Sequence, residues 1–241
     1  MTLTLCARLA VAGSLMLSSS LAWAGIQLGG TRVILAAPAK EASLPVINRG
    51  AEDLMIQSWV DAGENDSARD VPFVITPALA RLDGGKQQSL RVLYQGQGLP
   101  TDKESVFWLS VQEIPQKSKG QNVLQIAIRQ RIKLFYRPAN LPGKAADAAR
   151  GLGWRWIERD GKSAVEVTNP TAYHVSLSGA RIRTGGQDHP LVHVPMLAPG
   201  TTAVFALKDA ANARPVQGAT VEFENVNDYG GTDRNSAPLS F

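Results

Sequence analysis

The stretch Gln121-Asn122-Val123-Leu124-Gln125-Ile126-Ala127-Ile128-Arg129-Gln130-Arg131-Ile132-Lys133-Leu134-Phe135-Tyr136 decides the fold class. It runs sixteen residues without Gly or Pro, where an ordinary strand has about 5–6. Leu124, Ile126, Ile128, Ile132, Leu134 and Tyr136 share one parity, and Gln125, Arg129, Arg131 and Lys133 share the other. A period of two sends successive side chains to opposite faces of a strand. The strand predicted over 121–136 is too long for a small sandwich to bury along its whole length. Exposed alternating apolar residues invite association unless a partner covers them.

The rest of the chain repeats the period in shorter runs. Upstream, residues 44–48, 54–60, 73–76, 89–94 and 106–114 read as strands between turn-rich stretches such as Gly63-Glu64-Asn65-Asp66 and Asp83-Gly84-Gly85-Lys86. Gly29-Gly30 interrupts an alternating segment, the mark of a bulge or a switch between sheets. Downstream, Arg137-Pro138-Ala139-Asn140-Leu141-Pro142-Gly143 reads as a linker, and residues 144–150 have room for two helical turns at most. Strand patterns resume at 154–157 and 164–168, flanking Asp160-Gly161, a strong two-residue hairpin signal. They continue at 173–182, 191–194, 201–205 and 220–225. The fold class is therefore all-β, with a first domain over 25–141 and a second over 142–241.

Composition agrees. The chain has 241 residues, 44% hydrophobic and 19% charged, with 22 Gly, 14 Pro and only 6% aromatic residues. This is globular composition, suited to many short strands and turns. Net charge is +4, with no Lys/Arg run or arginine–aromatic interleaving of the kind that lines a nucleic-acid groove. No nucleic acid is expected as a partner.

Residues 1–24 read as a secretory signal: Arg8, an apolar run over 9–17, then Ala22-Trp23-Ala24 as a small-x-small cleavage site. The apolar run is too short for the ~20 residues that span a bilayer, so no membrane insertion is expected after cleavage. The remaining 217 residues contain no cysteine, and loss of Arg8 leaves a net charge of +3. An exported protein without disulfides must take its stability from apolar cores, which two domains of ~110 residues can supply.

Catalytic patterns are thin. There is no Gly-x-Ser-x-Gly elbow, and Gly161-Lys162-Ser163 lacks the upstream glycine of a phosphate loop. His189 and His193 are four apart, but Pro190 and Pro195 exclude a helix, and on a strand they would stand about 13 Å apart. All three histidines, His174 included, read as surface or partly buried groups. Glu52-Asp53 and Glu222/Glu224 read as solvated carboxylates. No enzyme activity, cofactor or metal is expected.

Four stretches together resemble the periplasmic chaperones of the chaperone–usher pilus pathway. They are Thr31-Arg32-Val33-Ile34; Glu104-Ser105-Val106-Phe107-Trp108; residues 122–128 leading into Arg131-Ile132-Lys133-Leu134-Phe135-Tyr136-Arg137-Pro138; and Val226-Asn227-Asp228-Tyr229-Gly230-Gly231. The resemblance implies two immunoglobulin-like sandwiches in an L with an interdomain cleft. It implies pilus subunits and an outer-membrane usher as partners, in the periplasm. Arg32 and Lys133 would grip the subunit's C-terminal carboxylate. Leu124, Ile126 and Ile128 would enter the subunit's open groove by donor-strand complementation. Glu104, Arg137 and Asp228 would form an interdomain ionic network. The short turn at 115–120, with no cysteine pair, is similar to the family's short-loop branch. Thr76-Pro77-Ala78 has alanine where many relatives carry a second proline.

Two other readings fit the residues alone. A generic secreted two-domain immunoglobulin-like adhesion module would leave Arg32 and Lys133 dispensable. A secreted β-sandwich enzyme acting on glycans would need paired carboxylates about 5–10 Å apart in a cleft, and no pair stands out. Two copies pairing their exposed strands in a self-capping dimer is a further way to cover the long apolar edge.

Overall fold

In the computed structural model, which describes residues 25–63, 70–117, 122–208 and 216–241, the chain changes sheets at Gly29-Gly30. The expected signal segment, residues 1–24, lies outside the described residues. β1 (Ile26–Leu28) pairs antiparallel with β3 (Glu41–Asn48), whereas β2 (Arg32–Ala36) joins the opposite sheet. Close approach requires the glycine at 29: its N–H donates to the Pro45 carbonyl, and a Cβ there would stand 2.9 Å from the Pro45 ring.

The first sandwich contains β4 (Leu54–Asp61), β5 (Phe73–Thr76), β6 (Leu79–Leu82), β7 (Gln87–Tyr94), β8 (Ser105–Pro115) and β9 (Arg129–Arg137) as well. One sheet has the order β1-β3-β7-β5 and the other β2-β9-β8-β4-β6. Their inward parities supply the core, with Leu35, Val46, Ile56, Leu90, Val92, Leu109, Val111 and Leu134 almost wholly buried. The spacing of strands suggests an antiparallel sandwich, and one pairing departs from that. β2 lies parallel to β9, with Arg32 opposite Lys133 and Ala36 opposite Arg137.

The strand predicted over 121–136 needs correction. Gln121 lies outside the described residues, and ladder pairing begins only at Arg129. β8 is the neighbour on one side, and continuing its register places Pro115, which has no N–H to donate, opposite Ile126. β2 is the neighbour on the other side, but it covers only 133–137. Residues 122–128 thus belong to no strand, tied by the Glu113 N–H to the Ile128 carbonyl (3.0 Å) and by the Gln125 side chain to the Gln116 carbonyl.

After the linker, a 3-10 segment (Ala145–Gly151) leads into a second sandwich. It contains β10 (Gly153–Arg159), β11 (Lys162–Thr168), β12 (Val175–Thr184), β13 (Gln187–Val192), β14 (Met196–Leu197), β15 (Thr202–Leu207), β16 (Thr220–Val226) and β17 (Thr232–Pro238). The β10–β11 hairpin turns at Asp160 and Gly161, both in the left-handed region at φ 53° and 70°, as a two-residue primed turn demands. The strand order is β10-β11-β15-β13-β12-β16-β17. Its ends are drawn together beyond β17, where Ser240 exchanges backbone bonds with Trp154 and Trp156. Trp154, Phe205 and Phe223 sit at the centre of a separate core. No helix among the described residues is long and apolar enough to cross a membrane.

Candidate binding cleft between the two sandwiches

Parallel pairing of β2 and β9 brings Arg32 and Lys133 together from positions 101 residues apart in sequence. Both face the second sandwich. Lys133 Nζ donates to Ser176 Oγ (3.2 Å) at the start of β12, and Arg32 Nη1 donates to the Val226 carbonyl (3.0 Å) at the end of β16. The Arg32 guanidinium also lies 5.8 Å from the Phe135 ring centroid, and Lys133 Nζ lies 5.9 Å from that of Trp108.

Electrostatically this pair is unsatisfied. Neither cation has an ion-pair partner among the described residues. Arg32 Nε is buried without a hydrogen-bond partner, so the guanidinium keeps donors uncommitted beyond the one given to Val226. Burial, and then the charge of Arg32, hold the Lys133 ammonium below the ordinary lysine range. Burial likewise lowers Arg32, against the raising influence of Asp228 and Glu104. Two half-buried cations with no direct ion-pair partner among the described residues make a site for an anion.

Next to this pair the two sandwiches are joined through Arg137, the last residue of β9. Its Nε donates to Glu104 Oε1 (2.6 Å), and its two terminal nitrogens donate to both oxygens of Asp228 (2.6 and 2.7 Å). The other Glu104 oxygen accepts the His174 backbone N–H (2.8 Å) and lies 2.9 Å from His174 Nδ1. Hydrogen bonds to Arg137 hold the Asp228 carboxyl below the usual range, against burial. The Asp228 turn is fixed by Asn227, whose Oδ1 accepts from the Tyr229 and Gly231 backbones. Gly230, at φ 84°, lies against Thr31, and a Cβ there would stand 2.4 Å from its hydroxyl oxygen. Sequence reasoning left His174, Ser176 and Val226 out of the cleft. Their partners are 43 to 194 residues away, and no local pattern signals such contacts.

Beyond Lys133 the unpaired edge begins. Leu124 is 85% exposed, Ile126 65% and Ile128 47%. These three face no core of this chain. His189 lies on β13 and His193 just after it, and no three His, Cys, Asp or Glu side chains gather to hold a metal among the described residues. Of the carboxylates read as solvated, Asp53 pairs with Arg81, Glu222 with Arg181 and Arg183, and Glu224 with Arg234, all on the surface.

Comparison with known proteins converges on one group. Residues 25–142 match the pili and flagellar-assembly chaperone family, PapD N-terminal domain, and residues 147–237 match the pili assembly chaperone PapD, C-terminal domain. The probable fimbrial chaperone YadV of Escherichia coli K12 is 38% identical over 236 residues, 93% of this chain and 94% of that protein. The chaperone protein FimB/FhaD of Bordetella pertussis is 37% identical over 247 residues, 97% of each chain. Among solved structures, the YadV chaperone superposes with a TM-score of 0.75 at 36% identity, covering 89% of this chain and 99% of that one. The complex of Salmonella enterica SafA pilin with the SafB chaperone gives 0.73 at 27% identity, covering 90% and 97%.

Proposed function

This chain belongs to the PapD family of pilus-assembly chaperones, and we propose that it is a periplasmic, non-enzymatic chaperone that holds a pilus subunit by its C-terminal end, lends it a strand edge and delivers it to an outer-membrane usher. The observation that carries this reading is the pairing of Arg32 with Lys133 in the cleft, two cations with no direct ion pair among the described residues. A chain-terminal carboxylate fits them, since arginine offers a bidentate edge and lysine a point charge.

The direction of the guest follows from the pairing. β2 occupies the outer edge of β9 from Lys133 onward, so the free edge lies only N-terminal to Lys133. A strand that ends at Lys133 and lies on that edge must run parallel to β9. Its groove then takes Leu124, Ile126 and Ile128. Each fully buried side chain contributes about 1.5–3 kcal/mol, or roughly 5–9 kcal/mol gross for three, before ordering costs. On this reading the apolar contacts supply most of the affinity and the carboxylate sets the register.

The test is recovery of small β-rich subunits from the periplasm of the native host by tagged wild-type protein, by Lys133→Ala and by Ile126→Asp, scored by mass spectrometry. Wild type alone should retain them. Equal recovery by Lys133→Ala would refute the carboxylate anchor, and equal recovery by Ile126→Asp would refute the lent edge.

A further inference from the structure

We infer that the cleft face of β9 also reads the side chains of the subunit's last residues, with Arg129 over Trp59 favouring an acidic side chain two rungs upstream of the carboxylate anchor. This rests on the reading above.

Arg129, Arg131 and Lys133 share one face of β9, about 6.6–6.8 Å apart in succession. Two indoles underlie them. Arg131 lies 4.5 Å from the Trp108 ring centroid, which also carries Lys133, and Arg129 lies 6.0 Å from that of Trp59. The register explains the alternation: Trp108 stands opposite Lys133 on one side and Asp61 on the other, and Ser110 stands opposite Arg131 and Trp59.

The rungs differ in charge balance. Arg131 donates to Asp61 Oδ1 (2.5 Å), so its rung carries a carboxylate already. Arg129 is exposed and makes no ion pair with a carboxylate among the described residues. A guest strand parallel to β9 shares its pleat, so its side chains beside Arg131 and Arg129 face the cleft, and those beside Ile132, Gln130 and Ile128 face the groove. Asp61 opposes a second carboxylate at the nearer rung. Preference for negative charge therefore concentrates at the Arg129 rung, where an indole face backs the guanidinium.

The experiment uses synthetic peptides of about twelve alternating valine and serine residues with a free C-terminal carboxylate. Glu or Lys is placed in turn at each of the last positions, and an amidated version serves as control. Dissociation constants are measured against wild-type protein and Arg129→Glu. With wild type, Glu should bind about twofold to fivefold more tightly than Lys at one cleft-facing position, and Arg129→Glu should invert that ratio while preserving discrimination between acid and amide. An unchanged Glu/Lys ratio at every position, with acid still preferred over amide, overturns this inference and leaves the anchor intact. Equal binding of acid and amide, or no binding of the acid peptide, overturns the anchor as well.

Discussion

Arg137→Ala is expected to destabilise the protein by about 3–4 kcal/mol, most of it on the Glu104 side of the network. The structure sets the division. The Glu104 side chain is 1% exposed and that of Arg137 16%, whereas Asp228 is 38% exposed. Removing one partner of a buried pair costs about 3–5 kcal/mol because the other charge stays buried. His174 still donates its backbone N–H to Glu104, which places this case at the low end. The Asp228 half is more exposed and is worth about 1 kcal/mol. For a chain of this size each kcal/mol shifts Tm by about 2–4 °C, so Arg137→Ala should lower Tm by about 6–15 °C and Asp228→Asn by about 2–4 °C. Replacing Arg137 and Glu104 together by methionine should cost less than Arg137→Ala alone. Circular-dichroism melts and urea midpoints provide the measurement. Equal losses for Arg137→Ala and Asp228→Asn would refute the reasoning, since the buried glutamate would then not be what the arginine sustains.

The cleft cations should be held against stability: Lys133→Met removes a desolvated charge beside Arg32 and should leave urea stability unchanged or raised by about 0.5–1 kcal/mol, and a loss above that size contradicts the account. Because the free Lys133 ammonium is depressed, subunit affinity should be full at neutral pH and decline as pH rises through that lowered value, earlier than for an ordinary lysine; titrated binding checks it, with Lys133→Arg flattening the decline. The Asp228 carboxyl is depressed in the folded state, so its contribution is complete above the ordinary carboxylate pKa and is lost as pH falls through the lowered value; acid melts below about pH 4 should show a slope that Asp228→Asn reduces. Gly29→Ala forces a methyl against the Pro45 ring and should cost about 1–3 kcal/mol, read from the urea midpoint.

Much of the fold was legible because its marks are local. The glycine pair at 29–30 announces itself by interrupting an alternating segment, the Asp160-Gly161 hairpin by its turn conformation, and the inward parities of β3, β4, β7 and β8 by apolar alternation. β6 and β17 were not legible. β17, Thr-Asp-Arg-Asn-Ser-Ala-Pro, is polar over its first five residues and is held mainly by seven pairings to β16, with Ala237 alone packing on the core. β6 is four residues beginning just after Pro77. The long strand misled for the opposite reason. Alternation over 121–128 records surface suited to burial, and Val123, Leu124, Ile126 and Ile128 stay exposed. At the cleft, Arg32 and Lys133 came from the resemblance, because the residues alone give each only as a charge on a strand. Ser176, His174 and Trp59 had no signal of a place in the cleft, since strand pairing and the packing of the second sandwich put them there.

β2 ends the free edge of β9 as a wall ends a corridor. Arg32 is its first residue and stands opposite Lys133, so a guest strand lying on the proposed path meets a blind end and can lengthen only away from it. Such a slot measures where a chain stops before it measures what the chain says. Every polypeptide ends in a carboxylate, whatever its sequence. One chaperone could therefore serve several different subunits of one organelle, while a subunit carrying even a short extension past its natural end would be turned away.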